Sequence, residues 1–110
     1  MLVIFLVSPL VVSEVCYFLA RDQGPDVEAA FLESLTTGHL VLATLSERDL
    51  PRMAELVRKY ADLTKTGLGG ADASVIALAE RPRITDVATI DRRHFSVVRP
   101  RHCASFTLLP

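Results

Sequence analysis

The sequence predicts an α/β fold in which helices flank a mostly parallel sheet. Short apolar runs rich in β-branched residues alternate with longer stretches of helical periodicity. Glycines and prolines separate these stretches, at Gly24-Pro25, at Gly38 and at Gly67, Gly69 and Gly70. Half of the 110 residues are hydrophobic, which is enough to build a core and too many for a disordered linker. The length suits a single domain over residues 1–110, with no repeat or low-complexity tract.

Leu2 to Val7 is an unbroken apolar run, as expected of a strand buried on both faces. Ser8-Pro9 then reads as a helix start, with serine at the N-cap and proline at the first helical position. That helix should run to about Arg21 and stop at Gly24-Pro25. A second helix opens at Asp26 and continues to about Thr37, with Val27, Ala30, Phe31 and Leu35 at helical spacing. His39 to Ala43 reads as a short strand. Ser46 and Asp49 resemble a capping box for a helix from about Glu47 to Ala61, with Leu50, Met53, Ala54 and Val57 as its apolar stripe. A loop from Thr64 to Gly70 leads to a helix beginning at Asp72. Asp86 to Ile90 and Ser105 to Leu109 read as further strands.

The net charge of -1 excludes a broadly basic nucleic-acid binder. The charge is uneven, however: residues 1–60 hold eight acids and five bases, whereas residues 61–110 hold five acids and seven bases. Arg92, Arg93, Arg99 and Arg101 lie in one stretch, either a solvated surface or a rim that contacts phosphates. Neither Cys16 nor Cys103 has metal-ligand spacing to partners, which fits a reducing, cytoplasmic setting. The apolar opening has no basic residue ahead of it, is broken by Pro9 and contains Glu14. An acid at mid-bilayer costs roughly 2.5–3.5 kcal/mol, so no membrane span is expected.

Three carboxylates occupy unusual places. Glu14 is flanked by Val11, Val12, Val15 and Cys16, on or beside the buried stripe of its helix. Asp72 follows Gly69-Gly70-Ala71 at a helix start, and Asp91 ends the strand Val87-Ala88-Thr89-Ile90. Taken singly, they read as a boundary residue, an N-cap and a turn residue. Together they can converge at the carboxyl edge of an α/β sheet, where such folds bind ligands. Three carboxylates in a small space repel one another unless a cation joins them, and all-oxygen ligation favours Mg²⁺, or Mn²⁺ in its place. Such an ion can activate water for phosphoryl displacement.

Ser8-Pro9-Leu10-Val11-Val12-Ser13-Glu14-Val15, Ala71-Asp72-Ala73-Ser74 and Thr89-Ile90-Asp91-Arg92-Arg93-His94-Phe95 resemble successive motifs of VapC-type PIN-domain toxins. Ser96 to Pro100 and Phe106 to Pro110 resemble the ends of actinobacterial members. The resemblance implies a PIN-like fold and a Mg²⁺-dependent endoribonuclease, toxic to its own cell and neutralised by an antitoxin protein. On matching positions, Glu14, Asp72 and Asp91 become metal-site and catalytic acids. The RNA substrate would then lie against Arg92, Arg93, Arg99 and Arg101.

The family pattern also implies a leading strand that ends in Asp, followed by one or two helices. Seven residues precede Ser8 here and no Asp precedes Asp22, so that strand, its acid and those helices are expected to be missing. Leu2 to Val7 is then either the family's second strand or a first strand fused by deletion. Arg93 stands where some members carry a further acid, and the loop before Asp72 is slightly longer than usual. Two functions follow as expectations: a ribonuclease toxin impaired by loss of its first metal-site Asp, or an inactive remnant that binds an antitoxin or sister subunit. Exposed sheet edges would also make the chain a homo-oligomer when expressed alone.

Overall fold

Ser8 and Pro9 start the first helix as their chemistry dictates. In the computed structural model the Ser8 hydroxyl accepts from the Leu10 N–H at 3.2 Å, and Pro9 is the first helical residue. The structure describes residues 5–38, 40–62, 67–82, 86–88 and 98–109. These residues form an α/β fold of short parallel strand pairs and helices, in two compact units, Met1–Leu45 and Ser46–Pro110.

Unit 1 runs β1 (Phe5–Val7), α1 (Pro9–Asp22), α2 (Pro25–Ser34) and β2 (Leu40–Leu42). β1 and β2 pair in parallel, with Phe5 opposite Leu40 and Val7 opposite Leu42. Parallel neighbours need a crossover connection, and the two helices supply it. Gly24 separates them: its φ of 93° is a conformation side chains disfavour, and its N–H caps the Leu19 carbonyl at 3.0 Å. Pro25 then occupies the first position of α2. α2 ends at Ser34, short of the expected Thr37, because the next N–H groups bond three residues back, as from Thr36 to the Glu33 carbonyl at 3.0 Å.

Burial in unit 1 differs from expectation. Phe5 and Leu6 are exposed, so β1 is not the doubly buried strand its composition suggested. Neither α1 nor α2 contains a buried residue. β1 pairs only with β2 among the described residues, which leaves its apolar side chains without the covering layers of a central strand.

Unit 2 contains a 3₁₀ turn (Glu47–Asp49), α3 (Leu50–Lys59), α4 (Gly70–Glu80), β3 (Asp86–Ala88) and β4 (Thr107–Leu109). The capping box is present, with the Asp49 carboxylate accepting from the Ser46 N–H at 2.9 Å. It closes the 3₁₀ turn, however, and α3 begins only at Leu50 with Pro51 in its first turn. The buried face of α3 is therefore Met53 and Leu56, while Leu50 and Val57, expected in the stripe, are exposed. α3 packs against α4, whose Ala73, Ser74, Ile76, Ala77, Leu78 and Ala79 are buried. Alanine both favours the helix and allows close approach on several sides. Leu68, Val98 and Phe106 complete this core. β3 and β4 pair in parallel, with Asp86 opposite Thr107. The expected ends of these strands at Thr89 and Ile90 lie outside the described residues.

Candidate functional site

α4 begins two residues earlier than the sequence suggests, at Gly70, which moves Asp72 from the helix start into the first turn. Gly69 is the N-cap and Asp72 the third helical residue, half-buried. A carboxylate there is favoured by the positive end of the helix dipole. Two residues on, Ser74 is fully buried, and its hydroxyl donates to the Ala71 carbonyl at 2.6 Å.

Glu14 lies in the middle of α1, and its side chain is exposed rather than turned into a buried stripe. The apolar neighbours that suggested burial are only half-buried: α1 packs against α2, but no residue of either helix is fully covered. Asp91, Arg92 and Arg93 lie outside the described residues. Glu14 belongs to unit 1 and Asp72 to unit 2. Among the described residues, no three His, Cys, Asp or Glu side chains are grouped to hold a metal ion. No helix of these residues is long and apolar enough to cross a membrane.

The remaining basic residues are tied into unit 2. The Arg99 backbone N–H donates to the Tyr60 hydroxyl at 2.9 Å. The Arg101 backbone N–H donates to Glu80 Oε2 at 2.7 Å, and its guanidinium pairs with Glu55 at 2.9 Å.

Both Arg101 bonds belong to an ionic cluster that the sequence did not reveal. Arg52 grips Glu80 with two nitrogens, Nε on Oε1 at 2.8 Å and Nη2 on Oε2 at 2.7 Å. Their side chains are only 11% and 9% exposed. Burial pushes the Glu80 carboxyl up, but the Arg52 and Arg101 hydrogen bonds and charges outweigh it and hold the group below the ordinary value. Hydrogen bonding to Glu80 raises Arg52 in turn. Beside this pair, the buried Asp49 carboxylate takes Arg81 Nε at 2.9 Å and Nη2 at 3.1 Å. A cleft of about 350 Å³ opens here, lined by these groups together with Arg48 and His102. The local signal was thin: Arg52 and Glu55 are a readable i,i+3 pair, but the partners that matter are 28 and 32 residues apart.

An α/β fold with an acid in the first turn of an alanine-rich helix matches what the sequence motifs imply. The family model described as PIN domain matches residues 4–99, and the chain belongs to the PIN-domain family. A curated relative, Ribonuclease VapC26 of Mycobacterium tuberculosis, is 40% identical over 104 residues. That alignment covers 94% of this chain and 75% of the relative.

Proposed function

We propose that this chain works by protein recognition within a toxin–antitoxin pair, binding an antitoxin through unit 1 while its ribonuclease chemistry is impaired. The surface of unit 1 carries this reading. Tyr17 and Phe18, 63% and 50% exposed, stack edge to face at 5.4 Å, and Phe5, Leu6, Val27 and Leu32 are exposed as well. Single apolar side chains are ordinary on a surface, but so many in one small unit are the mark of an interaction site. Residues 1–45 hold five carboxylates and one arginine, and that arginine, Arg21, is paired with Asp22 at 2.8 Å. The partner that fits is a segment interleaving apolar and basic residues, which an antitoxin would present. Without it, the same surface would pair with a second copy of the chain.

Magnesium-dependent cleavage of RNA is the second reading, favoured by the identity with a relative named as a ribonuclease. In it Glu14, Asp72 and Asp91 hold Mg²⁺ or Mn²⁺, and Arg92, Arg93, Arg99 and Arg101 hold the RNA. That no three His, Cys, Asp or Glu side chains group together among the described residues supports an impaired centre.

Sedimentation with and without a co-expressed antitoxin, run beside an RNA cleavage assay in saturating Mg²⁺ or Mn²⁺, separates the two. The expected result is a complex that Tyr17→Ser with Phe18→Ser disrupts, self-association in its absence, and no cleavage. A complex indifferent to both substitutions would refute recognition through this surface. Cleavage by the parent that Asp72→Asn abolishes would restore the nuclease reading.

A further inference from the structure

We infer that the arginine cleft of unit 2 binds a phosphate monoester of mononucleotide size. Its lining sets four arginines, Arg48, Arg52, Arg81 and Arg101, against two carboxylates, Asp49 and Glu80. Both carboxylates are already engaged. Asp49, 3% exposed, takes the Ser46 N–H and two nitrogens of Arg81. Glu80 takes Arg52 twice and the Arg101 N–H once. The cations are more accessible: the side chains of Arg81 and Arg101 are 42% and 62% exposed. An anion entering the cleft therefore meets guanidinium groups before it meets Asp49 or Glu80, while the Glu55 carboxylate stands paired with Arg101 outside the lining.

The cluster is also prepared to bind. Asp49 takes Nε and Nη2 of Arg81 and so fixes that guanidinium as a positive charge at the cleft, which loses little freedom when a ligand arrives. Arg101 uses a single guanidinium nitrogen on Glu55 among the described residues, leaving most of its donors to other acceptors. Arg48, on the 3₁₀ turn beside the cleft, makes no ion pair among the described residues. Guanidinium forks suit phosphate oxygens geometrically, and several can share one phosphate. Among the described residues the four arginines face Asp49, Glu80 and the rim carboxylate Glu55, which leaves an excess of one positive charge, and a terminal phosphate offers three oxygens for the guanidinium groups to share. Glu55 stands outside the lining and stays paired with Arg52 and Arg101. A volume of about 350 Å³ lies within the usual small-ligand range of roughly 300–1,000 Å³.

The cleft is not the place where the family's acids would act. Glu80 lies eight residues beyond Asp72 in α4, about 12 Å along the helix axis at 1.5 Å per residue. Phosphate binding here is also independent of recognition through unit 1.

Titration with 5′-AMP at low ionic strength, followed by calorimetry, tests the site. The parent should bind, Arg48→Ala should bind at least tenfold more weakly, and Asp72→Asn should bind as the parent does. Arg48 is exposed and unpaired among the described residues, so its replacement leaves the fold intact, which an unfolding curve checks. A 5′-phosphorylated RNA oligonucleotide that competes where its unphosphorylated form does not would identify the ligand as an RNA end. Competition by neither oligonucleotide would identify a free nucleotide. The inference fails if the parent does not bind 5′-AMP, if Arg48→Ala binds equally well, or if adenosine or the unphosphorylated RNA competes as strongly.

Discussion

Replacing Glu80 with glutamine changes a few atoms, yet it removes one charge from a pair that water scarcely reaches. Both Arg52–Glu80 contacts are shorter than 3 Å, and a third donor, the Arg101 N–H, shares Oε2 at 2.7 Å. Glutamine keeps one acceptor but turns its NH₂ toward a donor, either Arg52 or the Arg101 N–H. Arg52 is then left with Glu55 alone, at 2.9 Å and 53% exposed. Breaking a buried ion pair by removing one partner costs about 3–5 kcal/mol. Because Glu55 still compensates Arg52 at the rim, the lower figure, about 3 kcal/mol, is expected. For a chain of this size that lowers Tm by about 12 °C, at roughly 4 °C per kcal/mol. Urea unfolding should show a lower midpoint with an unchanged slope. Arg52→Met with Glu80→Leu should be less destabilised than Glu80→Gln alone, since no unpaired charge remains buried. A Glu80→Gln chain within about 1 kcal/mol of the parent, or a double variant as unstable as the sum of its singles, would show that the pair does not hold α3 to α4.

The pH dependence follows from the same carboxylate. The folded state holds Glu80 below its ordinary value, so its contribution is complete above the unfolded value of about 4.3 and is lost as pH falls through the folded value. Acid titration of stability should therefore steepen below that pH, and less so in Glu80→Gln. Gly67 has a φ of 69°, and a Cβ there would sit 2.7 Å from the Ala61 carbonyl oxygen. Gly67→Ala should cost about 2 kcal/mol or more in urea unfolding, because left-handed strain of roughly 1–2 kcal/mol adds to the clash. Asp72→Asn should leave stability within about 0.5 kcal/mol of the parent. Any Mg²⁺-dependent RNA cleavage by the parent should be lost in it. Hydrogen exchange should be faster in α1 and α2, which bury no residue, than in α3 and α4, and should slow in the first pair once the antitoxin binds.

Much of the framework was legible because it is written in local chemistry. Ser8-Pro9 and Gly24-Pro25 mark helix ends through backbone geometry and short hydrogen bonds where they were expected, and the Ser46–Asp49 box forms as expected but closes a 3₁₀ turn ahead of α3. The buried face of α3 was not legible. Its stripe depends on where the 3₁₀ turn hands over to the helix, and apolar spacing alone does not fix that point. The ionic cluster was not legible for another reason. Nothing local marks Arg52 or Glu80 as paired, or gives Asp49 a role beyond its capping box, because the pairings span 28 and 32 residues. Of the candidate site, Asp72 was found at a helix start, though inside the first turn rather than at the cap. The exposure of Glu14 was not legible, because apolar neighbours imply burial only as far as another element covers their face, and α2 covers that of α1 in part.

The two units divide the chain's charge and apolar surface unequally, and that division bears on function. Unit 1 places carboxylates among exposed aromatic and aliphatic side chains, whereas residues 46–110 hold eleven Lys and Arg against eight acids. Among the described residues, unit 2 also contains the buried apolar core and the ionic cluster, so its elements are stabilised internally. A unit that buries little of its own apolar surface gains most when a partner covers it, because the partner removes from water what folding left there. A basic, internally stabilised unit gains little that way, but its fixed arginines can hold an anion at small entropic cost. The proposed protein recognition and the inferred phosphate binding would therefore fall on different parts of the chain, each where the physical driving force for it is greatest. Loss of metal chemistry at Asp72 would leave both in place.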